Sequence, residues 1–299
     1  MRDEEVRARR RERGLPPDIA KVTLTGTGEL SPGLRFFTEG EAERYVFSPH
    51  EIDSLQNIAT VISTEGPITA KLIVTQLEKR GVERLMVEGG AAVLRMFLGE
   101  GMADTLRLAV NPQLRLGSAG GAEFRFTPPQ GTPQARENLG GMEVTTYTLH
   151  PDTSAADLRF LKQAVDEGRK CTPSATSYCV GAVVVTADGR IFAGHTHETS
   201  PTHHAEQEAI AKALAAGAAL RGAAMYSSME PCSQRASEPE SCTQLLLKYG
   251  FARAVFALYE PDCFVCCRGA LTLREAGVDV RVYPGLAGGV WEANAHLKR

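Results

Sequence analysis

No cysteine occurs in the first 170 of the chain's 299 residues; all seven lie between Cys171 and Cys267. A disulfide framework spanning the fold is thereby excluded. The uneven distribution fits a cytoplasmic setting, a local metal site, and two domains of different character joined in one chain. Aromatic residues are scarce at 6%, and neither sign of charge is in large surplus, the formal net charge being −3. Nucleic-acid editing needs a basic channel and stacking aromatics, so no nucleic-acid partner is expected. No apolar run approaches the roughly 18 residues of a membrane span, so no membrane partner is expected either. The opening MRDEEVRARRRERG lacks an apolar stretch and sets four acidic residues beside six Arg. It reads as a solvated helix rather than a secretory or transit signal.

What is present is the profile of a globular protein: 43% hydrophobic and 23% charged residues, with length enough for two cores. Over residues 1–150, short strands are predicted at Lys21–Thr25, Arg44–Ser48 and Ala59–Ser63. A helix at Ala70–Arg80 follows, carrying Leu72, Val74 and Leu77 and ending at Gly81. Arg84–Val87 reads as a buried strand, Glu88-Gly89-Gly90 as a turn into a helix through Phe97, and Leu106–Val110 and Val144–Leu149 as further strands. This is the grammar of an α/β domain with a largely parallel sheet. Residues 117–141 read as a long surface connection, and 150–155 as the linker to a second domain, 151–299. There, after Ser154 as N-cap, helices are expected near 156–168, 204–216, 240–249, 267–276 and 287–297. Strands are expected at Cys179–Thr186, Arg190–Thr196, Ala223–Ser228, 253–258 and 278–283, which together make a three-layer α/β/α domain.

The chemistry lies in His204-Ala205-Glu206, with Cys232 26 residues beyond Glu206 and Cys242 ten further on. A catalytic zinc takes three protein N or S ligands and a water, whose pKa it lowers to about 7. One His and two Cys supply three ligands, and Glu206 is close enough to act as unligated general acid and base. The H-x-E…P-C…C pattern is close to the signature of zinc nucleobase deaminases. His204 and Cys232 are both expected at helix starts, where the helix dipole favours thiolate. A closed four-ligand zinc site with His203 as fourth ligand would leave Glu206 without a task. Cys179 reads as core, and Cys263 to Cys266 forms a C-x-x-C without a second pair.

Residues 156–299 resemble the deaminase of riboflavin biosynthesis, of the fungal more than the bacterial type. The resemblance is carried by TSYCVGAVVV at 176–185, HAEQEAI at 204–210, YSSMEPCSQRASEPESC at 226–242 and LYEPDCFV at 258–265. It implies a cytidine-deaminase-like fold, zinc on His204, Cys232 and Cys242, and proton transfer by Glu206. The implied substrate is a diaminopyrimidine bearing a ribosylamino or ribitylamino phosphate. Bacterial relatives place an Asn before the V-G of the first strand; here backbone groups around Cys179, Gly181 and Ala182 are expected to hold substrate instead. Ser233, Arg235 and Arg268 are the candidate phosphate donors. Residues 1–150 resemble the NADPH-dependent reductase of the same pathway, of dihydrofolate-reductase-like fold, in 13–40, 80–90 and 103–112. The resemblance implies that this half is a truncated reductase-like domain, lacking the first part of the family's domain. Gly89 and Gly90 would then face a cofactor phosphate, with NADPH expected only if the domain is completed or retained. A homodimer or a complex with a reductase is expected from the exposed sheet edge. Two other readings stay open: a related pyrimidine in a natural-product pathway, and a non-catalytic zinc-folded partner of a separate reductase.

Overall fold

The computed structural model describes residues 4–64, 66–113, 125–150, 154–235, 238–261 and 267–297. The chain packs as two compact units, Met1–Ile73 and Val74–Arg299. In the first, α1 (Glu4–Glu12) has no buried residue and is held by pairs one turn apart, Arg7 with Glu4 and Arg9 with Glu5, as the expected solvated helix requires. Strands β1 (Lys21–Leu24), β2 (Arg44–Ser48) and β3 (Thr60–Ser63) form a parallel sheet in the order β1-β2-β3. The central β2 buries Tyr45 to Ser48, and Val46 packs with Ile52, Leu55 and Phe37, the last from the short helix α2 (Arg35–Thr38).

Helix α3 (Ala70–Glu78) begins before the division and ends after it. In the second unit, α4 (Ala91–Gly99) is followed by β4 (Thr105–Val110), β5 (Gln134–Leu139) and β6 (Met142–Thr148). These three form an antiparallel sheet in the order β4-β6-β5, not a continuation of a parallel one. Two expectations fail here. Part of the supposed surface connection 117–141 is the strand β5, whose residues are exposed along its whole length and so carry no apolar alternation; its residues 117–124 lie outside the described ones. The predicted strand Arg84–Val87 joins no ladder: Gly81, at φ 79°, turns the chain out of α3, and Met86 is 77% exposed.

The remainder is a three-layer α/β/α sandwich. Its five strands are β7 (Gly181–Val185), β8 (Ile191–His195), β9 (Ala224–Met229), β10 (Arg253–Leu258) and β11 (Asp279–Val282), in the order β11-β10-β9-β7-β8. Strands β9, β10 and β11 run parallel, whereas β7 is antiparallel to both its neighbours. Alternation in β7 shows why both faces are covered: Ala182 and Val184 turn to one side and Val183 to the other. The first side packs against α6 (Ala205–Ala215), α7 (Cys242–Tyr249) and α8 (Gly269–Glu275) through Ala209, Leu246 and Leu273. The second packs against α5 (Ser154–Gly168) and α9 (Ala287–Ala293) through Leu161, Ala164 and Val290.

The two compact units meet between Ile73 and Val74. Residues 74–150 group with the sandwich, joined to it by a largely buried ion pair, Glu78 with Arg274 at 2.6 Å, and by an exposed one, Asp104 with Arg281 at 2.7 Å.

Asp157 on α5 is 1% exposed and accepts from Tyr226 at 3.1 Å, Tyr283 at 2.8 Å and Arg253 at 2.6 Å. Removing it strands a largely buried guanidinium, which typically costs 3–5 kcal/mol. Because Arg253 keeps some contact with water, Asp157→Ala is expected to lose about 3 kcal/mol, read from the shift in urea unfolding; a loss below about 1 kcal/mol would refute the network's importance.

Candidate metal centre

His204 is the N-cap of α6, in extended backbone, so its imidazole leaves the helix start while its N–H is held by Gln207 Oε1 at 3.1 Å. Cys242 is the first residue of α7, whose start is fixed by a capping box: Gln244 N donates to Ser241 Oγ, and Ser241 N donates to Gln244 Oε1. Cys232, expected at a helix start, lies in a loop after β9. The helix begins ten residues later because Ser241 and Gln244, not Cys232, supply the cap. The loop turns back so that Cys242 N reaches Cys232 Sγ at 3.4 Å and Thr243 N reaches Cys232 O at 3.1 Å.

These three side chains meet. Their ligand atoms lie within 4.8 Å of one another, and His204 Nδ1 is 3.5 Å from each sulfur. With Zn–S about 2.3 Å and Zn–N about 2.0–2.1 Å, a tetrahedral angle separates N from S by about 3.6 Å. Spacing and donor chemistry therefore both fit zinc. Cys232 is held below its ordinary value, first by a hydrogen bond with Cys242 and then by His204, while Cys242 is pushed well above its ordinary value by its bond with Cys232 and by burial. A metal would bind both sulfurs as thiolates and displace the proton they share.

Glu206, on the first turn of α6, is 3% exposed. Burial raises its carboxyl, its Oε1 accepts from Ser227 Oγ at 3.0 Å, and its Oε2 lies 3.4 Å from Cys242 Sγ. Ser227 was missed by sequence reasoning. The signal was there: with Met225 and Ser227 on one face of β9, a hydroxyl replaces an apolar side chain opposite α6. His197 was missed too; it has φ 60°, its N–H bonds His203 O at 2.9 Å, and burial, then His204 and Arg235, push its imidazole below its ordinary value. His203 itself turns to Glu208 at 3.2 Å and is not part of the cluster.

Other expected site residues are engaged within the chain. The Cys179 N–H goes to Asn294 Oδ1 at 2.7 Å and its carbonyl accepts from Asn294 Nδ2 at 3.0 Å, so neither is offered to a substrate. Cys179 is 2% exposed, as a core residue should be. Gly181 N–H goes to Ser228 Oγ at 3.1 Å, and Ala182, fully buried, lies in the ladder between β8 and β9. Arg235 bonds Gln207 Oε1 at 2.5 Å and the Thr202 carbonyl, bracing the Cys232 loop against α6; Ser233 Oγ accepts from Arg268 N at 3.1 Å. Arg268 is exposed. Gly90 caps α4 at φ −67°, open to any residue, and a Cβ there would meet nothing within 4 Å. Gly89 precedes it, and a Cβ there would lie 3.3 Å from the Val93 Cβ. The C-x-x-C at Cys263 and Cys266 lies outside the described residues. A second cluster, Glu167, His195 and Glu198, has both carboxylates already paired, with Lys170 at 2.7 Å and Lys212 at 2.5 Å.

His204 caps α6, Cys242 opens α7 and Cys232 lies in the loop between β9 and α7, with the buried Glu206 beside them on a five-stranded α/β/α sandwich. Residues 154–258 match the family model for the cytidine and deoxycytidylate deaminase zinc-binding region, and residues 2–147 match that for the RibD C-terminal domain. The chain is 41% identical over 145 residues to the diaminohydroxyphosphoribosylamino-pyrimidine deaminase of Schizosaccharomyces pombe, covering 48% of this chain and 35% of that one. It is 35% identical over 147 residues to riboflavin biosynthesis protein RibD of Chlamydia pneumoniae, covering 49% and 37%. Among solved structures, a diaminohydroxyphosphoribosylaminopyrimidine deaminase/5-amino-6-(5-phosphoribosylamino)uracil reductase of Thermotoga maritima aligns at 29% identity and TM-score 0.42, covering 46% and 39%. The chain spans a little over a third of the length of these curated relatives. Among the described residues no helix is long and apolar enough to cross a membrane.

Proposed function

We propose that residues 151–299 form a zinc-dependent hydrolytic deaminase acting on a diaminopyrimidine that carries a ribosylamino or ribitylamino phosphate, in riboflavin biosynthesis. The observation that carries this reading is Glu206, buried beside His204, Cys232 and Cys242 yet bonded to Ser227 rather than turned wholly to the cluster. Held by those three ligands, zinc supplies Lewis-acid polarisation at neutral pH. As a ligand Cys242 has no S–H to give, which leaves Glu206 Oε2 open to take a proton from water. Ser227 fixes Oε1, so the same carboxyl can pass that proton to the ring nitrogen and then serve the departing amine. The dry surroundings of Glu206 strengthen each of these contacts.

The nine residues between Cys232 and Cys242 support a riboflavin-pathway substrate over cytidine, whose deaminases place the two Cys as P-C-x-x-C. The five described cysteines, all free thiols, support a reducing cytoplasm, and the reading includes self-association or a complex with a reductase. The test is ammonia release from each of the two pyrimidine phosphates by zinc-loaded protein. Turnover of one or both is expected, lost on chelation and recovered with zinc alone. Full zinc occupancy with turnover of neither would overturn the substrate and favour a natural-product pyrimidine.

A further inference from the structure

An arginine on a helix ordinarily keeps its guanidinium in water, yet Arg274 of α8 is 2% exposed. Its Nη1 donates to Thr75 Oγ1 at 2.5 Å and its Nη2 to Glu78 Oε2 at 2.6 Å. The Tyr259 hydroxyl donates to the same Glu78 oxygen at 2.5 Å. The next residue, Lys79, donates from Nζ to Cys267 O at 3.0 Å and lies 5.5 Å over the Tyr259 ring. Thr75 and Glu78 come from the end of α3 and Lys79 directly follows it, all within the segment that matches the RibD C-terminal domain. A buried charge persists only where it is fully partnered, so this junction is a specified one.

The other end of α8 meets the metal loop. Ala270 N donates to Glu230 Oε1 at 2.8 Å, and Arg268 N donates to Ser233 Oγ at 3.1 Å. A Cβ on Gly269 would fall 2.0 Å from the Pro231 carbonyl oxygen, so helix and loop touch backbone to backbone. The same carbonyl accepts from Thr243 Oγ1 at 3.1 Å. Cys232 is therefore placed by a loop clamped between α7 and α8, and α8 is in turn anchored by α3.

We propose that Glu78 and Lys79 are positioning residues for the metal site: through Arg274, Tyr259 and Cys267 they fix α8, and α8 seats the Glu230–Ser233 loop that carries Cys232. The reductase-like half is then a working part of the deaminase. This rests on His204, Cys232 and Cys242 being zinc ligands, as read above.

The test uses the full chain with Glu78→Gln and Lys79→Met, and Asp157→Ala as a variant weakened on the far side of the sheet. Zinc affinity is measured by competition with a chromophoric chelator, and ligand geometry by the visible spectrum of the Co²⁺-loaded protein. Each α3 variant is expected to weaken zinc about tenfold, the lower end of what outer-shell changes produce, and to shift the Co²⁺ bands. Asp157→Ala is expected to hold zinc within about twofold of the parent despite its lower stability, because it does not touch the outer shell. If Glu78→Gln does not fold, Lys79→Met, which removes only a half-buried amine, decides. Parent-like affinity and spectrum in the α3 variants would overturn the proposal. A parent chain that binds no zinc would overturn it together with the zinc reading, whereas zinc binding without turnover would sink only the proposed reaction.

Discussion

Glu206→Gln is expected to lower turnover by about 10²–10⁴-fold, the span that positioned acid–base groups contribute, while the protein keeps its full complement of zinc. Two features set this apart from an ordinary loss of a buried charge. Glutamine has the shape of glutamate and still accepts the Ser227 hydroxyl, so the contact at 3.0 Å survives. What it cannot do is hold a proton at Oε2, the oxygen facing Cys242. Burial already works against ionisation of Glu206 in the metal-free chain, so folding should not suffer. Metal content and ammonia release together give the answer. A variant within tenfold of the parent would remove Glu206 from the chemistry, and one that lost its zinc would make Glu206 a ligand.

Gly181→Ala should cost about 3 kcal/mol, the upper range for forced overpacking. A Cβ there would lie 2.1 Å from Ala164 O and 2.2 Å from Gly168 N, both backbone atoms of α5. Neither can swing aside as a flexible side chain could, so β7 or α5 must shift as a whole. Gly288→Ala makes the useful contrast, since it is exposed in α9 and its Cβ would meet nothing within 4 Å. That change should add about 0.5–1 kcal/mol from helix propensity. Urea unfolding of the pair separates steric exclusion from chain entropy. Equal stability of Gly181→Ala and the parent would mean that α5 does not lie against β7 at this distance.

The cluster of His204, Cys232 and Cys242 was legible because its chemistry is written in residue type and spacing. The strands Arg44–Ser48 and 253–258 were legible because a buried central strand is nearly all apolar or small. The failures have a shared physical origin, in that composition does not name a neighbour. Arg84–Val87 has the residues of a buried strand but no strand to pair with, and β5, QARENL, pairs without burying anything. Backbone N–H groups at Cys179 and Gly181 looked free because Asn294 and Ser228 lie 115 and 47 positions away. The same holds for Ser227: the pattern marks its face but not Glu206 across from it.

The Glu78–Arg274 pair spans 196 positions, which bears on the order in which the molecule is completed. A ribosome delivers α3 long before α8, so the acceptor waits in the growing chain for its cation. His204, Cys232 and Cys242 emerge in between, and their loops close over far shorter distances at lower entropic cost. Metal capture can therefore precede the arrival of the brace that seats the Cys232 loop. The nascent site would trade ions readily until the last helices dock, and only then become slow to release what it holds.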